Sequence, residues 1–346
     1  MESVTIKDIA RMCDVGVSTV SRAINNSPGI NVATKQRILK VIEENNYVPN
    51  NSARNLKRIK SETIAVLVKG INNSFFSPMI TEFEKGIQDE QYTFILQRVD
   101  QNQDEIDVAL EIEKEKKLKG IVFLGGYFSH SKEKLNKLKV PFVLSTIGMQ
   151  DIELHKEFAS VAVDDEMESF KIVDYLCSLG HKKIAILAAS EDDESIGKLR
   201  MLGYKRALKK NGIEFDKNLV FELIEGNDRY SVKSGYITTK KMLQLDVQCT
   251  AVYAITDAIA IGACRAIWES GKKVPDDYSI AGFDGLEIAR YYIPSITTIR
   301  QPVEEMARET LRLLFGMINN KPNIKDNIIF SGELIVGEST KRLELD

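Results

Sequence analysis

Histidine is scarce in this chain, 3 in 346 residues, and His130, His155 and His181 lie far apart without metal-ligand spacing, so no metal site is predicted. The 4 cysteines, Cys13, Cys177, Cys249 and Cys264, contain no Cys-x-x-Cys pair and lie mostly in apolar segments, which excludes a zinc knuckle or dithiol centre and leaves free thiols. Enzyme signatures are missing as well. There is no Gly-x-x-x-x-Gly-Lys-Ser/Thr loop to cradle phosphates, no His-Glu-x-x-His and no Gly-x-Ser-x-Gly elbow. Gly125-Gly126 reads as a pair of turn glycines, not a dinucleotide fingerprint. No catalytic residue, metal ligand or cofactor is assigned, and the chain reads as a binder. No run of 18 apolar residues occurs and no apolar signal core precedes the first helix, so the expectation is a cytoplasmic protein without a membrane partner.

What is present suits two or three soluble domains, with 43% hydrophobic and 28% charged residues. The net charge of −3 hides an asymmetry: residues 1–60 hold ten Lys/Arg against five Asp/Glu, hence +5, which leaves −8 for the rest. A basic head on an acidic body fits nucleic-acid binding by one end.

Residues 4–24 of that head compress two short helices and a tight turn. Thr5 and Asp8 have the spacing of a capping box, and Ile6, Ile9 and Ala10 give the first helix one apolar face. Asp14 stands where the turn asks for left-handed backbone angles. Val15 plugs the turn and Gly16 caps the second helix. There Val20, Ala23 and Ile24 face inward, while Val17, Ser18, Ser21, Arg22 and Asn25 face out. Such a face, small side chains around one arginine, can enter a major groove, where Arg22 would pair with guanine. The competing reading is a pair of ordinary core helices. A third helix is predicted from about 32 to 45, capped by Asn31 with Ile38, Leu39 and Ile42 as its stripe. Residues 50–60 are short, basic and nearly without apolar side chains, the composition of a flexible linker.

Beyond residue 62, apolar strands at 63–68, 93–97, 120–124, 142–146, 160–163, 183–188, 220–224, 251–255, 279–283 and 328–334 alternate with amphipathic helices, for example at 77–90, 165–179, 196–211, 230–243, 257–270 and 302–318. That alternation predicts parallel sheets covered on both faces. The strands are too many for one compact sheet and point to two α/β subdomains, with a ligand cleft at the carboxyl ends of the strands.

The head resembles the helix-turn-helix of the LacI/GalR family of bacterial transcription repressors, whose usual pattern is Ala-Gly-Val-Ser-x-x-Thr-Val-Ser-Arg. Val15 and Thr19-Val20-Ser21-Arg22 match; Asp14 replaces the usual Gly, and Gly16 the usual Ser. The resemblance extends through Gly180-His181-Lys182-Lys183-Ile184, Arg200-x-x-Gly203-Tyr204, Asp257-x-x-Ala260-x-Gly262, Val274-Pro275-x-Asp277-x-Ser279-Ile280-x-Gly282-Phe283-Asp284 and Thr297-Thr298-Ile299-x-Gln301-Pro302. It implies a helix-turn-helix head plus two α/β subdomains of periplasmic-binding-protein-like type with parallel sheets. The implied division is a head at 1–49, a hinge helix at 50–60, a first subdomain at 61–163 and 295–324, and a second at 164–294 and 325–340.

The resemblance further implies a homodimeric, effector-controlled regulator on a near-palindromic double-stranded operator. Thr5, Val17, Ser18, Thr19, Ser21, Arg22 and Asn25 would contact DNA, and in the hinge Leu56 would wedge into the minor groove with Ala53 on the same face. In the cleft, Arg200 would clamp ligand hydroxyls or a carboxylate, Asp284 would accept hydrogen bonds, and Tyr230 with Phe76 or Phe75 would form flat walls. Asp257 would flank them. For Arg200 the structural alternative is a salt bridge to an acid such as Asp192, and for Asp284 a helix cap. The effector expected is a sugar. If Lys69 points into the cleft, an acidic or phosphorylated effector becomes credible, and a nucleobase or phosphosugar corepressor is the alternative within the family. A solute-binding protein and a sugar-modifying enzyme are the readings from other classes.

Overall fold

The computed structural model describes residues 4–24, 29–45, 47, 62–100, 102–128, 130–148, 158–188, 195–224, 229–245, 247–321 and 327–343. Two compact units result, Met1–Ser61 and Glu62–Asp346. The expected hinge at 50–60 lies outside the described residues.

The first unit holds α1 (Ile6–Met12), α2 (Val17–Ile24) and α3 (Val32–Glu44) around a small core of Ile9, Ala10, Cys13, Val20, Ala23 and Ile38. The Asn31 side chain caps α3 by accepting from the Ala33 amide at 2.9 Å.

In the second unit a six-stranded sheet runs in the order β11-β5-β4-β3-β1-β2, with β1 (Thr63–Lys69), β2 (Thr93–Val99), β3 (Leu118–Leu124), β4 (Phe142–Ser145), β5 (Phe158–Val163) and β11 (Asn327–Phe330). A four-stranded sheet runs β7-β6-β8-β9, with β6 (Ile184–Ala188), β7 (Val220–Glu222), β8 (Ala251–Ala254) and β9 (Ser279–Ala281). All pairs in both sheets are parallel. The inner strands are predominantly apolar and buried along nearly their whole length, as strands covered by helices on both faces are. Helices α4 (Phe76–Asp89), α5 (Glu105–Glu115), α6 (Lys132–Leu135) and α12 (Val303–Ile318) accompany the first sheet. Helices α7 (Asp165–Ser178), α8 (Ile196–Lys210), α9 (Val232–Gln244), α10 (Asp257–Glu269) and α11 (Glu287–Tyr291) accompany the second.

Two expectations are corrected near the C-terminus. The apolar run at 328–334 is not one strand: it is β11 followed by β12 (Glu333–Ile335), broken at Ser331-Gly332. β12 pairs antiparallel with β10 (Thr298–Arg300), a strand absent from the periodicity reading. The break has a steric cause, because a Cβ on Gly332 would sit 2.5 Å from Ile299 Cγ2, so the chain passes β10 at a distance only glycine allows. Residues 327–330, expected in the second subdomain, instead form the edge of the first sheet through pairing with β5.

Candidate DNA-binding head and ligand cavity

In the head, the Asp8 carboxylate accepts from the Thr5 hydroxyl at 2.5 Å and the Thr5 amide at 3.0 Å. These bonds, hydroxyl first, hold Asp8 below the usual carboxylate range. Asp14 adopts φ +45° in the turn, and Arg37 of α3 donates to the Cys13 carbonyl at 2.9 Å, tying the third helix to that turn. Val17, Ser18 and Arg22 of α2 are exposed, and Thr19 and Ser21 are half-buried. Thr5, also exposed, is engaged with Asp8. Asn25, Ala53 and Leu56 lie outside the described residues.

The second unit contains a cavity of about 390 Å³, within the range of small-molecule sites. It lies where strands of both sheets end: Lys69 closes β1, Val99 closes β2, Gly125 follows β3, Thr146 follows β4, Asp165 begins α7 after β5, and Asp284 follows β9. Phe75 and Phe76 meet edge-to-face with centroids 5.5 Å apart. Gly125 has φ +72°, and a Cβ there would lie 2.5 Å from Phe76 Cζ and 2.8 Å from the Lys69 carbonyl oxygen, so the aromatic wall needs glycine. Across the cavity the Tyr230 hydroxyl and Ser195 Oγ are 2.9 Å apart.

Arg200 is buried, with its side chain 2% exposed. Its Nε donates to Asp165 Oδ1 at 2.8 Å, its Nη1 lies 3.4 Å from Asp284 Oδ1, and its guanidinium covers the Phe283 ring at 3.7 Å. The salt bridge is therefore real, but its partners are Asp165 and Asp284; Asp192 lies outside the described residues. Asp284 has φ +115°, a conformation that few residues with a side chain tolerate. Its Oδ1 accepts from Gln301 Nε2 at 3.0 Å, while Oδ2 is buried and has no partner among the described residues. Burial pushes the Asp284 pKa up to about 7, against the pull of Arg200 and with the repulsion of Asp165.

Asp257 corrects an expectation. It is fully buried and is not among the residues lining the cavity. Its Oδ2 accepts from the Leu286 amide at 2.7 Å, so the carboxylate braces the loop after Asp284. Burial, reinforced by Asp284, raises its pKa well above the usual carboxylate value.

Lys69 lines the cavity, and its ammonium is paired: Nζ donates to the Gln103 carbonyl at 2.9 Å and to Glu105 Oε2 at 3.1 Å. Arg98 is bound to Asp100 at 2.9 Å. Arg229 is the fourth cation on the lining.

Residues 5–50 match the bacterial regulatory proteins, lacI family, and residues 173–340 match the periplasmic binding protein-like domain. The HTH-type transcriptional regulator MalR of Clostridium butyricum is 38% identical over 336 residues, spanning 96% of this chain and 98% of that protein. The chain belongs to the lacI family of bacterial regulatory proteins. As in other lacI-family regulators, its helix-turn-helix is a DNA-binding element and its core is a periplasmic-binding-protein-like α/β unit. Among solved structures, the transcriptional regulator CelR in complex with cellobiose matches with TM-score 0.69 and 25% identity, covering 97% of this chain and 99% of that one. A LacI family regulator from Enterococcus faecium with bound ribose matches with TM-score 0.70 and 26% identity, over 82% of this chain and all of that one, 100%.

Within this lacI-family core the cavity brings together Phe75, Phe76, Arg200, Tyr230 and Asp284 and leaves out Asp257. Sequence reasoning did not single out Asp165, Gln301 or Glu105. Asp165 had a signal in the acidic pair Asp164-Asp165 at a strand-to-helix junction, where the carboxyl end of a parallel strand opens on the cleft. Gln301 lies inside the Thr-Thr-Ile-Arg-Gln-Pro segment. Glu105 had none, being one of several acids around the start of α5. All four thiols are free: Cys13 and Cys264 are buried, Cys177 and Cys249 half-buried. His181 is buried, 2.9 Å from Thr250 Oγ1, and His155 lies outside the described residues. No group of residues suited to holding a metal occurs among the described residues, and no helix there is long and apolar enough to cross a membrane.

Proposed function

We propose that this lacI-family regulator is a homodimeric repressor, cytoplasmic and without enzymatic activity, that releases a near-palindromic operator when a neutral sugar enters the core cavity. Two heads on half-sites match the symmetry of such a DNA site. Arg22, flanked by Val17, Ser18, Thr19, Ser21 and Asn25, reads bases, Thr5 meets the backbone, and Leu56 with Ala53 serves the minor groove. The chain divides as read from the sequence, with 327–330 reassigned to the first subdomain.

The observation that carries the sugar reading is the charge balance of the cavity. Of its four lining cations, Lys69, Arg98 and Arg200 are each paired with a carboxylate. A phosphate or carboxylate ligand held by Lys69, Arg98 or Arg200 would compete with the carboxylate already on that cation. A polyol needs none broken: it donates to Asp284 on the cavity lining and stacks its apolar face on Phe76 and Tyr230. The cellobiose and ribose held by the two solved relatives support the same class. A ligand that prefers one arrangement of the two subdomains shifts the population toward it, and that shift is what the DNA would sense.

The test is a thermal-shift screen of the full chain against neutral mono- and disaccharides, sugar phosphates and nucleobases, followed by operator release with any hit. A neutral sugar that raises Tm and releases operator DNA is the expected result. A response confined to phosphosugars or nucleobases, or one that strengthens operator binding, overturns the sugar-inducer reading in favour of a corepressor.

A further inference from the structure

At one edge of the cavity, Lys69 projects from the end of β1 to the start of α5, where Glu105 is the first helical residue. Both side chains are largely buried, Lys69 16% and Glu105 8% exposed. Glu105 is held from two sides, by Lys69 Nζ on Oε2 at 3.1 Å and by His130 Nε2 on Oε1 at 3.1 Å. Beyond His130 the charges continue: its Nδ1 lies 3.5 Å from Asp104 Oδ2, and Lys134 binds Asp104 and, at 3.0 Å, Asp107, none of which is bonded to Lys69. Glu105 is thus the one carboxylate recorded on the Lys69 ammonium among the described residues.

A half-buried ammonium without a counter-charge is costly, and it either loses its proton or recruits an anion. We infer that Glu105 sets the charge class of the ligand: by neutralising Lys69 it keeps the cavity closed to anions, and without it the same cavity would take a phosphorylated or carboxylated ligand. The inference rests on the neutral-sugar reading of this site. Glu105 need not touch the ligand; it acts through Lys69, as a positioning and specificity-determining residue. The flexible four-carbon stem of Lys69 lets its ammonium turn into the cavity once released.

Inorganic phosphate is the probe, titrated calorimetrically into the full chain without DNA. Glu105→Gln keeps an acceptor for the His130 N–H and removes only the charge. Because a hydrogen bond between charged groups is worth tenfold to more than a hundredfold in affinity, phosphate should bind this variant about 10- to 100-fold more tightly than the wild type. The double variant Glu105→Gln/Lys69→Met should lose that gain, which separates Lys69 from Arg98, Arg229 and the basic head. Should Glu105→Gln fail to fold, Glu105→Met, of similar length and asking for no buried hydrogen bond, carries the same expectation. No gain in the single variant, or a gain that persists without Lys69, overturns this inference and leaves the neutral-sugar reading standing. Phosphate bound by the wild-type protein in a manner abolished by Lys69→Met overturns both.

Discussion

Replacing Arg200 with alanine should destabilise the core far more than it weakens any single ligand contact. The guanidinium is the counter-charge recorded for two buried carboxylates, Asp165 at 2.8 Å and Asp284 at 3.4 Å, and it covers the Phe283 ring. Removing one partner of a buried ion pair costs about 3–5 kcal/mol, because a charge is left without compensation. At roughly 2–4 °C per kcal/mol for a unit of this size, Tm should fall by about 6–20 °C. The loss should also depend on pH. Two acids share one cation, and burial already raises both above the usual carboxylate range, Asp284 to about 7. At low pH the stranded acids take up protons and escape the cost; at high pH they cannot. Thermal denaturation of wild type and Arg200→Ala at about pH 5 and about pH 8 should therefore show the larger difference at the higher pH. A drop worth less than about 1 kcal/mol, or an equal drop at both pH values, would refute the assignment of Arg200 as the counter-charge of the site.

Three further outcomes are expected. Arg22→Ala should reduce the preference for operator over random DNA by about 1–3 kcal/mol, read by anisotropy on both DNAs at one salt concentration; an unchanged ratio sinks the role of Arg22 in base reading. For Asp284 the folded pKa of about 7 exceeds the unfolded value, so its contribution is fully present below about pH 4 and is lost as pH rises through about 7. Urea denaturation across that window should show a shallower fall in Asp284→Asn, and parallel curves would remove Asp284 as the titrating group. Gly125→Ala should cost about 1–3 kcal/mol, since its Cβ would displace the Phe76 ring and meet the Lys69 carbonyl; a crystal structure with Phe76 unmoved and Tm unchanged would contradict this.

Local signals were enough for the head. A capping box needs only Thr5 and Asp8 three residues apart, a left-handed turn residue is announced by Asp14, and the inward face of α2 follows from a period of 3.6. The parallel sheets were equally legible, because strands buried on both faces must be apolar runs and the helices between them amphipathic. Asp257 shows where such reading stops: its position in the chain places it beside the cavity, yet its carboxylate turns to the Leu286 amide of a loop 29 residues away. Residues 327–330 show it again, since an apolar run does not say which sheet edge it will join, and only the close passage at Gly332 past Ile299 separates that strand from the next. The sequence by itself determined the family, the helices of the head and the alternation of strands and helices, all properties of neighbouring residues. Tertiary structure alone decided which acids answer Arg200 and Lys69, because Asp165, Asp284 and Glu105 reach their cations across 35, 84 and 36 positions of chain. Charge balance in the cavity is a sum over such distant pairs, and no local pattern records it.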